Sequence, residues 1–201
     1  MKKTMLFASA IACLVAAGPP AFAHEAHEAH EHGTARVNLG VEGRQVEIAL
    51  ETPLASLISF EHTPETDAQK KEARGMATIM RKADTLFIFP AEALCRLEKV
   101  ELESEAIGDD LLSPSGTSAA AGARRGEGKA GSHDDKKKDG EGHADLEATI
   151  SFTCRNPEKL NRITVEMFKA FPNLKEIEMQ MITPKGQGAA ELTPRSNVAE
   201  W

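Results

Sequence analysis

Val37-Asn38-Leu39-Gly40-Val41-Glu42-Gly43-Arg44-Gln45-Val46-Glu47-Ile48-Ala49-Leu50 decides the fold class. Val37, Leu39 and Val41 alternate with polar or small residues, the period of two expected of a strand that buries one face. Gly43, without a Cβ, permits a tight turn. Val46, Ile48 and Leu50 then resume the alternation. Two short strands joined as a hairpin are expected. Pro53 offers no backbone donor and ends the second strand.

Further along, Leu54 to Phe60 is apolar enough for a short buried helix or turn. Thr63-Pro64-Glu65-Thr66-Asp67 supplies helix start signals, a proline and acids, for a helix through about Ala83. Met76, Ile79, Met80 and Ala83 fall on one face of it. Leu86 to Phe89 is an apolar run closed by Pro90, and Val100 and Leu102 alternate with glutamates. Leu146, Ala148, Ile150 and Phe152 read as another strand. Ile163, Val165 and Met167 follow, then Phe168 and Phe171 before Pro172, then Ile177, Met179 and Met181. The pattern predicts an α+β fold, a mainly antiparallel sheet with one or two helices. Strand order is not recoverable from periodicity.

Composition divides the 201 residues into five segments. Residues 1–23 read as a secretory signal peptide: Lys2 and Lys3, an apolar Met5 to Ala17, Gly18-Pro19-Pro20, and a small-x-small Ala21-Phe22-Ala23. The apolar run is too short for a span of about 20 residues, so no stable membrane insertion is expected. Ala10-Ile11-Ala12-Cys13 faintly resembles a lipoprotein box, but the apolar run continues past Cys13, and soluble export is the better reading. Residues 24–33 are a His/Glu tail, and 34–107 and 143–201 are two parts of one domain. Between them, residues 108–142 hold no large apolar residue after Leu112. A stretch of that composition cannot offset the entropy of ordering, so a disordered loop is expected there.

The formal charge of −7 becomes more negative once Lys2 and Lys3 leave with the leader. Such a protein is a poor candidate for nucleic acid and a reasonable one for cations. Cys13 also departs, leaving Cys95 and Cys154 in a compartment where disulfides persist. A bridge between them is expected, and two unpaired buried thiols are the alternative. The bridge would close a loop of about 60 residues, worth roughly 4 kcal/mol in the chain-entropy account.

The chemistry concentrates in His24-Glu25-Ala26-His27-Glu28-Ala29-His30-Glu31-His32, which holds four of the seven histidines. Imidazole is a common ligand for zinc, copper and nickel, and carboxylates supplement it. Spacings of three, three and two suit one face of a helix or of a strand, so a flexible tail could close around an ion either way. A solvated Glu-Ala tail without ligand role is the plainer reading, and the density of histidines argues against it. His62, beside Glu61 at the mouth of the helix, is the kind of histidine that ordinarily caps or packs. His133 and His143 lie in or beside the loop with Asp145 nearby, and ten flexible residues span roughly 17 Å, so both could reach one ion. The methionines match core periodicity and are read as packing. No Ser/His/Asp pattern, phosphate loop or helical zinc-hydrolase motif is present, and Ser59 near His62 has no nucleophile context; an enzyme is not expected.

With these residues in place, the chain resembles the ZrgA family of zinc-regulated periplasmic zinc-binding proteins. The resemblance runs through His30-Glu31-His32-Gly33, Phe60-Glu61-His62-Thr63-Pro64 with Thr66, and Leu86-Phe-Ile-Phe-Pro90 with Cys95. It continues through His143-Ala144-Asp145, Phe152-Thr-Cys154-Arg-Asn-Pro157 and Phe168-Lys-Ala-Phe171-Pro172. It ends at Gly186-Gln187 and Leu192-Thr193-Pro194. It implies a periplasmic zinc buffer or chaperone that supports high-affinity zinc uptake. Zn²⁺ would be its ligand and a zinc importer's periplasmic binding protein its partner. It also favours His30, His32, His62 and the His143 edge as ligands. In one respect the chain departs: the central loop of such proteins is typically a dense His/Asp/Glu tract. Here it holds His133 and His143 amid Lys136-Lys137-Lys138, which shifts weight to the tail. Two other readings stay open at this point. One is a copper or nickel protein, since the affinity order favours Cu²⁺ at nitrogen and oxygen sites. The other is a disulfide-stapled interaction module without metal.

Overall fold

Residues 32–114 and 144–201 are described by the computed structural model. The expected hairpin is present: β1 (Thr34–Glu42) and β2 (Gln45–Pro53) pair antiparallel from Arg36 opposite Glu51 to Glu42 opposite Gln45. Gly43, at φ 55°, makes the turn. The chain then forms a 3-10 turn (Leu54–Ser56), α1 (Asp67–Met80), α2 (Ala83–Leu86), β3 (Phe87–Ile88), β4 (Cys95–Glu103) and α3 (Asp109–Leu112). After residue 144 come β5 (Asp145–Cys154), β6 (Arg162–Val165), α4 (Met167–Ala170), β7 (Glu176–Thr183), β8 (Gly186–Leu192) and β9 (Val198–Glu200).

These strands make a six-stranded sheet in the order β4-β5-β2-β1-β7-β8 and a three-stranded sheet β3-β6-β9. All pairings among the described residues are antiparallel except that of β1 with β7, which is parallel. The large sheet is amphipathic, as the alternation required. Val37, Leu39, Val46, Ile48, Leu50, Leu146, Ile150, Phe152, Ile177 and Met179 are buried on one face. They form one continuous core with Ala73, Met76, Ala77 and Met80 of α1, Met167 and Phe168 of α4, and Phe87, Ile163 and Val165 of the small sheet.

The expected α+β class holds, with a helical part differently divided. Of the helices, α1 alone is long; α2, α3 and α4 are single turns of four residues. A capping box starts α1: the Thr66 hydroxyl accepts from Gln69 N–H while the Gln69 side chain accepts from Thr66 N–H. The helix stops at Met80 rather than near Ala83, because Lys82, at φ −94° and ψ 46°, leaves the helical region just after the C-cap residue Arg81. Its guanidinium donates to the carbonyls of Leu112 at 2.7 and 3.0 Å and of Val100 at 3.0 Å. Ala83 is buried in the separate α2, and Ile79, expected on the buried face, is 37 % exposed. Met167, read with Ile163 and Val165, begins α4.

The described fold also reaches past residue 107. Leu111 and Leu112 of α3 are buried, the last large apolar side chains before the long polar stretch. The expected signal peptide, the tail through Glu31, and the loop residues 115–142 lie outside the described residues, as do His24, His27, His30, His133, His143 and Cys13. Cys95 and Cys154 are bonded, S–S 2.02 Å, directly opposite each other where β4 meets β5.

Candidate functional site

Four consecutive residues, Pro53–Ser56, hold three other segments of chain at one end of the large sheet. Pro53 stands opposite Asp145 in the β2–β5 register. Leu54 N–H donates to the carbonyl of Ala144 at 2.9 Å. Ala55 N–H donates to Glu61 Oε1 at 3.4 Å. The hydroxyl of Ser56, wholly buried, accepts from Gly33 N–H at 3.0 Å. Next to this run, Thr52 Oγ1 donates to the carbonyl of Thr34 at 3.0 Å. The start of β1, the return of the chain after residue 143, and the Glu61 segment therefore converge on a single short turn.

Gly33 is the pivot of this corner. Its carbonyl accepts from Lys175 N–H at 2.7 Å and Glu176 N–H at 3.1 Å, which ties it to the beginning of β7. Its φ is +92°, and a Cβ there would lie 3.2 Å from the carbonyl oxygen of Asn173. Both facts demand glycine. Gly33→Ala should cost on the order of 1–3 kcal/mol, the range for a residue forced into a sparsely allowed backbone region. Chemical denaturation of the two proteins checks this; equal midpoints would contradict it.

So anchored, the chain delivers His32 to Glu61. His32 Nε2 lies 3.2 Å from Glu61 Oε2, with side chains 55 % and 18 % exposed. The carboxylate is the fixed member, held by Ala55 N–H, and the imidazole is the accessible one. Imidazole and carboxylate are both ligand types found in four-coordinate zinc shells.

His62, the next residue, turns the other way. Its Nδ1 donates to the Thr63 carbonyl at 2.9 Å, which leaves Nε2 as the lone-pair nitrogen, facing Gln69 Nε2 at 3.4 Å. The ring lies tilted at 40° to that of Phe60, centroids 5.4 Å apart. A backbone carbonyl on one ring nitrogen is the arrangement that orients a metal-binding histidine. His62 nevertheless faces α1 and its capping residue rather than the His32–Glu61 pair.

Of the expected ligands, then, the structure joins His32 to Glu61 and places half-buried Asp145 on the same corner, across the Pro53 register position. Among the described residues no three His, Cys, Asp or Glu side chains stand close enough to hold a metal ion. Cys95 and Cys154 close the opposite end of β5 as a disulfide and offer no thiolate. Sequence reasoning missed Gly33, Ser56 and Thr52, which build the corner through hydroxyl-to-backbone hydrogen bonds that leave no composition signal. Gln69 could have been found, because Thr66-x-x-Gln69 has the spacing of a capping box.

The described residues thus bring a histidine and a carboxylate together where the His-rich segment of the sequence ends. The model of the ZrgA family zinc uptake proteins matches residues 29–201. The chain belongs to this family, and its role lies in zinc uptake. The family is one of uptake proteins and not of enzymes. A comparison with curated proteins finds no match. No helix among the described residues is long and apolar enough to cross a membrane.

Proposed function

We propose that the protein is a periplasmic zinc carrier that gathers Zn²⁺ at the corner built on Pro53–Ser56 and passes it to an importer's binding protein. One observation carries the reading. The exposed His32 is fixed against Glu61 where residues 24–31, with three more histidines, join the fold, and the segment that ends in His143 rejoins it at Ala144, bonded to Leu54. All the histidines of the exported chain except His62 thus lie in segments tethered to this corner. The leader-like residues 1–23 and the Cys95–Cys154 bridge support an extracytoplasmic site of action. The family's zinc uptake role favours zinc over copper and nickel. It also weighs against a metal-free interaction module.

The cargo is bound through neutral imidazole nitrogens and carboxylate oxygens, so zinc competes with protons. In model peptides imidazole titrates near about 6.5. Lowering the pH protonates free imidazoles and expels zinc, so affinity should be high near about pH 7.5 and fall steeply below about pH 6, with protons released on binding. Glu61→Gln keeps the shape of the side chain and removes the charge, and should weaken zinc about 10- to 100-fold, the cost of losing a supporting carboxylate. Competition against a chromophoric chelator at several pH values measures both effects. A pH-independent affinity, or one that Glu61→Gln leaves unchanged, would exclude the corner as the zinc site.

A further inference from the structure

The two edges of the six-stranded sheet are treated differently. Along β4 run Arg96, Glu98, Lys99, Glu101 and Glu103, the register shifts between Leu97 and Lys99, and Arg81 donates to the Val100 carbonyl. Charges, an irregularity and a covering side chain are the devices by which proteins guard an edge. The other edge, β8, reads Gly-Gln-Gly-Ala-Ala-Glu-Leu, with one charge, no proline and an unbroken register against β7. Among the described residues β8 pairs with β7 alone, because the chain turns at Thr193–Ser196 and sends β9 to β6 in the other sheet. Alternate N–H and C=O groups of β8 therefore point away from the sheet, a template for one more strand.

We infer that this strand is β8 of a second copy, paired antiparallel about a two-fold axis through Ala189. That axis uses the whole strand: Gly186 faces Leu192 of the copy, Gln187 faces Glu191, Gly188 faces Ala190, and Ala189 faces itself. Gln187, Ala189 and Glu191 lie on the exposed face of the sheet, opposite Ile182, Gln180 and Glu178 of β7. Across the axis the Gln187 amide, with two N–H donors, meets the Glu191 carboxylate, and two-fold symmetry makes the match twice. The position where identical side chains must meet is occupied by alanine. Moving the axis to Gly188 would set Glu191 against Lys185, whose ammonium is already bonded to the Trp201 carbonyl at 2.9 Å. A single seven-residue strand pairing is a small interface, so the dimer is weak and reversible, with Kd above about 1 µM.

Sedimentation equilibrium of the protein in excess EDTA, from about 10 µM to about 1 mM, tests this without metal bridging between tails. A monomer–dimer equilibrium is expected. Ala189→Lys, which sets two ammonium groups on the axis, should shift it about tenfold or more toward monomer, and Gln187→Glu by about tenfold. Gln187→Lys should tighten it. The combined Gln187→Lys and Glu191→Lys variant should weaken it again, although it carries more positive charge than either parent. These side chains are exposed, so far-UV circular dichroism and the unfolding midpoint should stay unchanged. A folded protein that remains monomeric throughout overturns the inference, as does a variant order that follows net charge alone.

Discussion

Replacing His24, His27, His30 and His32 together by alanine should remove at least one zinc equivalent and leave the fold intact. The tail precedes β1, and His32, the one of the four among the described residues, meets Glu61 through an exposed side chain. Gathering several imidazoles around one ion costs ordering entropy, which His32 reduces by being held already against Glu61. A His62→Ala variant should change stoichiometry far less, because that ring faces Gln69 and α1. Titration with zinc, followed by metal analysis after gel filtration, separates the two. Unchanged stoichiometry and affinity in the fourfold variant would move the site to Glu61, His62 and the His143 edge.

Reducing the Cys95–Cys154 bond should be the most damaging single chemical change to stability. The two residues lie 59 positions apart in sequence, and freeing such a loop costs about 4 kcal/mol in the chain-entropy account. For a domain of this size that corresponds to a fall in the unfolding midpoint on the order of 10 °C. The bond joins β4 to β5 at the end where Cys154 is fully buried and its N–H donates to the Arg44 carbonyl. A Cys95→Ser/Cys154→Ser variant should reproduce the effect of reductant. Thermal unfolding with and without reductant is the measurement, and coincident curves would show that the bridge adds nothing.

Strands that bury a full row of large side chains were legible in the sequence. Val37 to Leu50 and Leu146 to Phe152 show both strand and face, because burial of one side imposes the alternation. β8 was invisible for the opposite reason. Its Gly, Ala and Gln residues have little to bury at an edge, so no period is imposed. α3 left a signal, Leu111 and Leu112, that the polar composition around it outweighed. Ile79 has helical spacing with Met76 and Met80, yet the core meets only part of α1, and spacing alone cannot say how wide the buried stripe is.

The candidate site was legible as a set of residue types and not as an arrangement. His32 and Glu61 are 29 positions apart, and nothing local pairs them. What joins them is a pair of long-range contacts, Gly33 N–H to the Ser56 hydroxyl and Ala55 N–H to the Glu61 carboxylate, that no local spacing announces. The parallel alignment of β1 with β7 is equally silent, since Ile177, Met179 and Met181 announce a strand without naming its neighbour.

That parallel pairing also sets the order of events in time. Thr34 meets Glu176, and Gly33 is fastened by the N–H groups of Lys175 and Glu176. The β1–β2 hairpin can zip within about 10 µs once it is delivered, but β1 must wait for β7, which follows it by most of the chain's length. Until then β1 is an open edge inside what will become the middle of the sheet, exposed to wrong partners. Joining ends so far apart also slows folding itself. The histidines of the tail are thus made first, and the corner that receives them is completed last. A chain cut short of Lys175 would keep every histidine and lack the N–H groups that fasten the Gly33 carbonyl, so the fully anchored corner is a mark of the finished molecule.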